Sequence, residues 1–245
     1  MTVGQGLLLV AAGVLAGFVN TVAGGGSAVT LPILTDLLGP NAANGTNRIA
    51  ILMANATATG RFSGGRAMPW RHVAPLVVPT LAGALAGAWT ATLLSPAAMR
   101  RVFAVVLVLI AVSVAARPSI WLEGHEHRLA EPWRSLVFLA IGFYGGFVQA
   151  GVGFLLLAGL VLGGGLDLVR GNAAKVLLIL LYTPLALFLF ARADQVELAA
   201  GVILGVGNST GALAASHLAL RRGAAWIRWV LVVVAVGAAV RMLVG

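Results

Sequence analysis

The chain has 245 residues, 60% apolar and 9% charged, with a formal net charge of +9, no cysteine and a mean hydropathy of +1.01. A soluble domain of this size carries about a quarter of its residues charged, so the composition excludes an ordinary water-soluble globule and predicts an integral membrane protein. The basic excess does not make a nucleic-acid binder, because the arginines form no stripe interleaved with stacking aromatics. Without cysteine, disulfides, thiolate chemistry and cysteine metal sites are all removed.

In chain order the apolar segments fall at 4–22, 27–43, 44–62, 72–94 and 99–116, then at 135–150, 153–168, 170–191, 196–219 and 224–244. The first residues, Met1 to Gln5, carry no basic group ahead of the apolar run, so this end reads as the first membrane segment rather than a cleaved signal peptide. Arg117 to Arg134 is polar, with Pro118, Glu123, His125, Glu126, His127, Arg128, Glu131 and Pro132. It predicts a cytoplasmic linker (117–134) between a first transmembrane repeat (1–116) and a second (135–245). His125, His127, Glu123 and Glu126 read better as a solvated charge cluster than as a metal site, since ligand spacing and supporting partners are lacking. No metal or cofactor is implied.

The two halves resemble each other. Gly13-Val-Leu-Ala-Gly17-Phe-Val-Asn20 matches Gly142-Phe-Tyr-Gly-Gly146-Phe-Val-Gln149 at a shift of 129. At a shift of 127, Gly24 and Gly26 fall on Gly151 and Gly153, Arg48 on Lys175 and Arg101 on Arg228, while Gly83 and Gly87 fall on Gly207 and Gly211 at 124. A repeat of five segments is odd, so the second copy is expected inverted in the membrane. Ten crossings would put Arg61, Arg66, Arg71, Arg117, Arg128, Arg134, Arg170, Arg221, Arg222 and Arg228 on one side and Arg100, Arg101, Arg192 and Arg241 on the other. The rich side is expected to be cytoplasmic, with both termini opposite.

Segments 27–43 and 153–168 are short for a crossing, and each follows a glycine break: Gly24-Gly25-Gly26-Ser27 and Gly151-Val152-Gly153. Broken helices at matching positions point to a midplane binding site, because freed backbone amides there can bind a ligand. The pairs Gly13/Gly17, Gly83/Gly87 and Gly207/Gly211 read instead as close helix packing. Two polar knots follow the short segments, Asn41-Ala-Ala-Asn44-Gly45-Thr46-Asn47-Arg48 and Arg170-Gly171-Asn172-Ala-Ala-Lys175. Both end in a cation inside an apolar segment, a functional signal by default. Small polar residues at a helix start offer N–H groups and a positive dipole end that suit an anion, with Arg48 and Lys175 adding charge. The alternative is that both cations snorkel to the interface. Asn20 and Gln149, repeat-related and just before the breaks, are candidate ligand donors or interhelical glue. The candidate substrate-binding set is therefore Asn20, Gly24, Gly25, Gly26, Ser27, Thr46, Asn47, Arg48, Gln149, Gly151, Gly153, Asn172 and Lys175.

The run from Gly17 through Asn20 and Gly24-Gly-Gly-Ser27, then Leu31-Pro32 and Asn44-Gly-Thr-Asn-Arg48, with a weaker copy at 146–175, resembles the sulfite exporter TauE/SafE family of bacterial membrane permeases. The second half departs from the pattern: Gly151-Val152-Gly153-Phe154 replaces the glycine triplet and serine, and Gly159 stands at the place of Pro32. The resemblance implies a multi-pass protein of the inner membrane that transports small sulfur-containing anions such as sulfite or organosulfonates, usually outward.

The expected partners are thus a small anion and the lipid bilayer, without nucleic acid, and with homo-oligomerisation left open. Asp36 and Asp167 lie toward segment ends, so a buried carboxylate relay is not evident, and an outward-moving anion gains about 2.3 kcal/mol per charge per 100 mV. A membrane-embedded enzyme finds only Ser209, Ser216 and His217 near membrane depth, with no convergent nucleophile and base. A scaffold subunit would not need paired breaks ending in paired cations.

Overall fold

The structure is a computed structural model that describes residues 1–22, 24–65, 67–116 and 130–244, with side chains omitted over 110–116 and 223–244. Among the described residues it is helical throughout, without strands: α1 Val3–Val22, α2 Ser27–Leu38, α3 Pro40–Gly64, α4 Trp70–Thr92, α5 Pro96–Ala116, α6 Trp133–Phe147, α7 Val152–Ala158 continued by a π-turn over Gly159–Gly163, α8 Leu168–Arg192 and α9 Leu198–Val244. Among the described residues, four helical stretches are long and apolar enough to cross a membrane: Val3–Val22, Trp70–Thr92, Leu168–Arg192 and Leu198–Arg222.

Both short segments are present as helices, with ends other than the predicted ones. α2 stops at Leu38 rather than 43, because Gly39 takes a left-handed φ of 79° and returns its N–H to Thr35 O at 2.9 Å. Pro40, whose missing N–H costs nothing in a first turn, then starts α3. The polar knot from Asn41 to Arg48 is therefore helical, not a lead-in. The second short segment runs 152–163 rather than 153–168, and Asp167 caps α8 by accepting from Val169 N and Arg170 N, both at 2.9 Å. A turn was expected between 219 and 224. α9 instead continues through Arg221-Arg222-Gly223, where a lone glycine among helix formers does not stop a helix. Most of the predicted linker, Arg117–Leu129, lies outside the described residues, including the charge cluster at His125 and His127. Its described end leads into α6, where Glu131 accepts from Arg134 Nε at 2.9 Å and Ser135 Oγ at 2.7 Å.

The halves are interlocked. α1 packs along α9, and α4 along α6, so helices from before residue 117 lie against helices from after residue 129. Both crossings use the predicted glycine pairs. A Cβ on Gly17 would meet Asn208 O at 2.0 Å and one on Gly211 would meet Val14 O at 2.0 Å; at the other crossing, Gly87 would meet Phe143 O at 2.0 Å and Gly146 would meet Ala84 O at 2.0 Å. Such backbone-to-backbone approach is how helices gain van der Waals contact in lipid, where apolar burial supplies little driving force. α3 and α8, the helices with the polar knots, pack against each other in the middle. The surface is apolar: Leu7, Val78, Val105 and Phe188 are exposed, as are Trp70, Trp89 and Trp133 near helix ends, the place aromatic side chains take at a membrane interface.

Candidate functional site

Arg48 is the ninth residue of α3 and Lys175 the eighth of α8, and both are 0% exposed. Neither snorkels. Each reaches across to the helix end that precedes the other half's break. Arg48 donates to the carbonyls of Gly145 (3.3 Å) and Gly146 at the end of α6, to Gln149 Oε1 (3.1 Å) and to Asn44 Oδ1 (3.4 Å), with the Phe190 ring 4.5 Å away. Lys175 donates to the carbonyls of Asn20 (3.0 Å) and Thr21 (2.9 Å) at the end of α1, and to Asn172 Oδ1 (2.6 Å). The last carbonyls of a helix lack intrahelical partners and carry the negative end of its dipole, so each cation caps a helix C-terminus across the repeat. The sequence pattern had suggested helix N-termini beside the cations. At α8 those donors are taken up by Asp167.

The carbonyl partners carry only partial charge. Asp36, Asp167, Asp194, Glu131 and Glu197 are all exposed, and the ion pair among the described residues is Arg134–Glu131. Two buried cations therefore cap these helix ends with no carboxylate among the described residues to neutralise them. Buried donors also remain without acceptors, at Arg48 Nε and Asn172 Nδ2. Buried polar groups are normally satisfied, so each such orphan calls for an explanation.

The breaks lie beside this pair. Gly24 has φ 89° and Gly151 φ 72°, left-handed at repeat-equivalent positions. They bring the two breaks into contact: a Cβ on Gly153 would lie 2.3 Å from Gly24 Cα, and Gly25 lies against the Phe154 ring. Gly26 caps α2 and Gly151 caps α7 without any side chain bonding the first N–H groups. Ser27, Thr30 and Asn47 form one buried network, with Thr30 Oγ1 donating to Asn47 Oδ1 at 2.8 Å and Asn47 Nδ2 to Ser27 Oγ at 3.1 Å, which fixes the start of α2 on α3. Thr46 stands apart from this group. Its Oγ accepts from Glu197 N at 2.8 Å and holds the start of α9.

The structure adds Asn44, Phe190 and the chain's two tyrosines, which the sequence reading did not place in the site. Tyr182 OH donates to Gln149 Oε1 at 3.1 Å and Tyr144 OH to Ala150 O at 2.5 Å, so both pin the α6–α7 break. A tyrosine inside an apolar helix was the available signal, since a buried phenol needs a partner. Among the enzyme candidates, His217 is bonded to Arg61 through Nδ1 at 2.6 Å, and Ser216 Oγ is bonded to Leu213 O at 3.1 Å.

The chain is 27% identical over 238 residues to the probable membrane transporter protein ORF9 of a Sinorhizobium species, covering 96% of this chain and 91% of that one. It is 26% identical over 222 residues to the probable membrane transporter protein YfcA of Escherichia coli strain K12 (90% and 82% covered), and 25% over 237 residues to a probable membrane transporter protein of Haemophilus influenzae (95% and 93%). No solved structure matches the chain with significance. The profile described as sulfite exporter TauE/SafE matches residues 9–242. Matched over nearly its whole length, this multi-pass membrane protein belongs to the sulfite exporter TauE/SafE family, a family of membrane transporters and not of enzymes.

Proposed function

We propose that the protein carries small sulfur-containing anions, such as sulfite or organosulfonates, outward across the bacterial inner membrane, binding them between its two halves. The observation that supports this most is the pair of buried cations, Arg48 and Lys175, which no described carboxylate neutralises and which stand beside two glycine breaks and two orphaned donors. Intramembrane charge is costly, so its retention points by default to a substrate or ion path. An anion arriving between the breaks would supply the missing charge and acceptors together. Asn20, Gly24 to Ser27, Asn47, Gln149, Gly151, Gly153 and Asn172 belong to this site in our reading, and Thr46 supports it from behind.

The arrangement that fits is a pair of inverted five-segment repeats. Its support is the reciprocal capping, Arg48 on α6 and Lys175 on α1, and the reciprocal glycine crossings, all related by the repeat. The acids among the described residues are exposed, so we assign outward flux to the anion gradient and the membrane potential alone.

The test is efflux from proteoliposomes loaded with sulfite or an organosulfonate, under an imposed potassium diffusion potential. Wild-type protein should release the anion without a pH or sodium gradient, and Arg48→Lys should retain part of the rate, because it keeps the charge but loses the planar fork. Absence of flux with every such anion, or strict dependence on protons, would overturn the proposal.

A further inference from the structure

The break between α6 and α7 holds a glutamine where the backbone would suit a glycine. Gln149 has φ 69°, a left-handed conformation that a residue with a side chain keeps only when its surroundings over-determine it. Here the side chain is held at one atom. Gln149 is 2% exposed, and its Oε1 receives Arg48 Nη1 at 3.1 Å and Tyr182 OH at 3.1 Å. A guanidinium and a phenol converging on one point make a donor set suited to an anionic oxygen, to which charge-assisted bonds are roughly twice as strong as neutral ones. An uncharged amide oxygen stands there instead. Arg48 Nε, also buried, has no acceptor, so the guanidinium is not satisfied by its present partners.

On the anion-transport reading above, we infer that Gln149 Oε1 occupies the seat of a substrate oxygen and is displaced when the oxyanion binds. Arg48 and Tyr182 then become direct ligands of the anion, and Gln149 acts as an internal competitor that fills the empty site. The exchange is favourable at both ends: Arg48 trades a neutral acceptor for a charged one, and the released glutamine no longer has to hold the left-handed backbone. The device belongs to the second half alone, because Lys175 meets Asn20 through the backbone oxygen and not through the side chain. This assigns different tasks to two residues that the repeat places in equivalent positions.

The experiment is titration of the purified full-length protein with sodium sulfite and with methanesulfonate by calorimetry, for wild type, Gln149→Ala, Gln149→Gly, Gln149→Glu and Tyr182→Phe. If the glutamine fills the seat about nine-tenths of the time, removing it should tighten binding about 10-fold. Gln149→Gly, which accepts the left-handed backbone, should do the same and guards against a folding defect in the alanine variant. Gln149→Glu puts a carboxylate in the seat and should weaken binding at least about 10-fold, and Tyr182→Phe should weaken it by a similar factor through the lost donor. Wild-type protein that binds these anions, with the alanine and glycine variants no tighter or the glutamate variant no weaker, overturns the seat and leaves the transport reading standing. Wild-type protein that binds neither anion removes both.

Discussion

Gly153→Ala tests whether the contact between the two breaks holds the site together. A Cβ at Gly153 would lie 2.3 Å from Gly24 Cα, 2.9 Å from its O and 3.0 Å from its C. Carbon atoms settle at about 3.5–4.0 Å, so the two backbones must part by about 1 Å or more, and no flexible side chain is present to yield instead. Overpacking of this kind costs about 1–3 kcal/mol. At about 2–4 °C per kcal/mol for a chain of this size, the melting temperature in detergent should fall by roughly 2–12 °C. Anion efflux should fall more than stability does, because the displaced segment carries the capped ends of both broken helices. Gly60→Ala is the control: nothing lies within 4 Å of its added Cβ, so it should melt at or slightly above wild type through the gain of about 0.5–1 kcal/mol in helix preference. A Gly153→Ala protein with wild-type melting and wild-type efflux would refute the close approach of the breaks.

Arg48→Leu should be more damaging to stability than an exposed arginine change such as Arg192→Leu, by about 1–3 kcal/mol for each interior carbonyl left without its donor, at Gly145 and Gly146; equal thermal melts would contradict the capping role. Single cysteines introduced into this cysteine-free chain report topology: Ser95→Cys should react with an impermeant thiol reagent in intact cells and Arg222→Cys should not, and equal labelling would sink the ten-segment arrangement. Glu131 is bonded by Ser135 and Arg134, which hold its carboxyl below the usual value of 4.5. A group whose pKa is lowered by folding stabilises above its unfolded pKa and loses that contribution as pH falls through the lowered value, so melts taken downward from pH 5 should decline less in Glu131→Gln than in wild type; parallel profiles would contradict the bonded carboxylate.

The membrane class, the order of the helices and the glycine crossings were legible in the sequence because each is local. Composition reports the solvent, apolar run length reports the helices, and a Gly-x-x-x-Gly spacing reports a helix face that admits another backbone. The ends of the short helices were less legible. Gly39 and Pro40 made a better stop and start than the change in polarity at Asn44, and a lone Gly223 did not end α9.

The position of Arg48 and Lys175 in the repeat was also visible, and so was the cost of burying them. What each cation bonds was not, because the partners are backbone carbonyls and the nearest across the halves are 97 and 154 residues away in sequence. Any residue offers a carbonyl, so no residue type marks such a partner in advance. The same holds for Gln149: the two donors on its oxygen arrive only when α3, α8 and the α6–α7 break meet, each supplying one part of a site that no single segment contains.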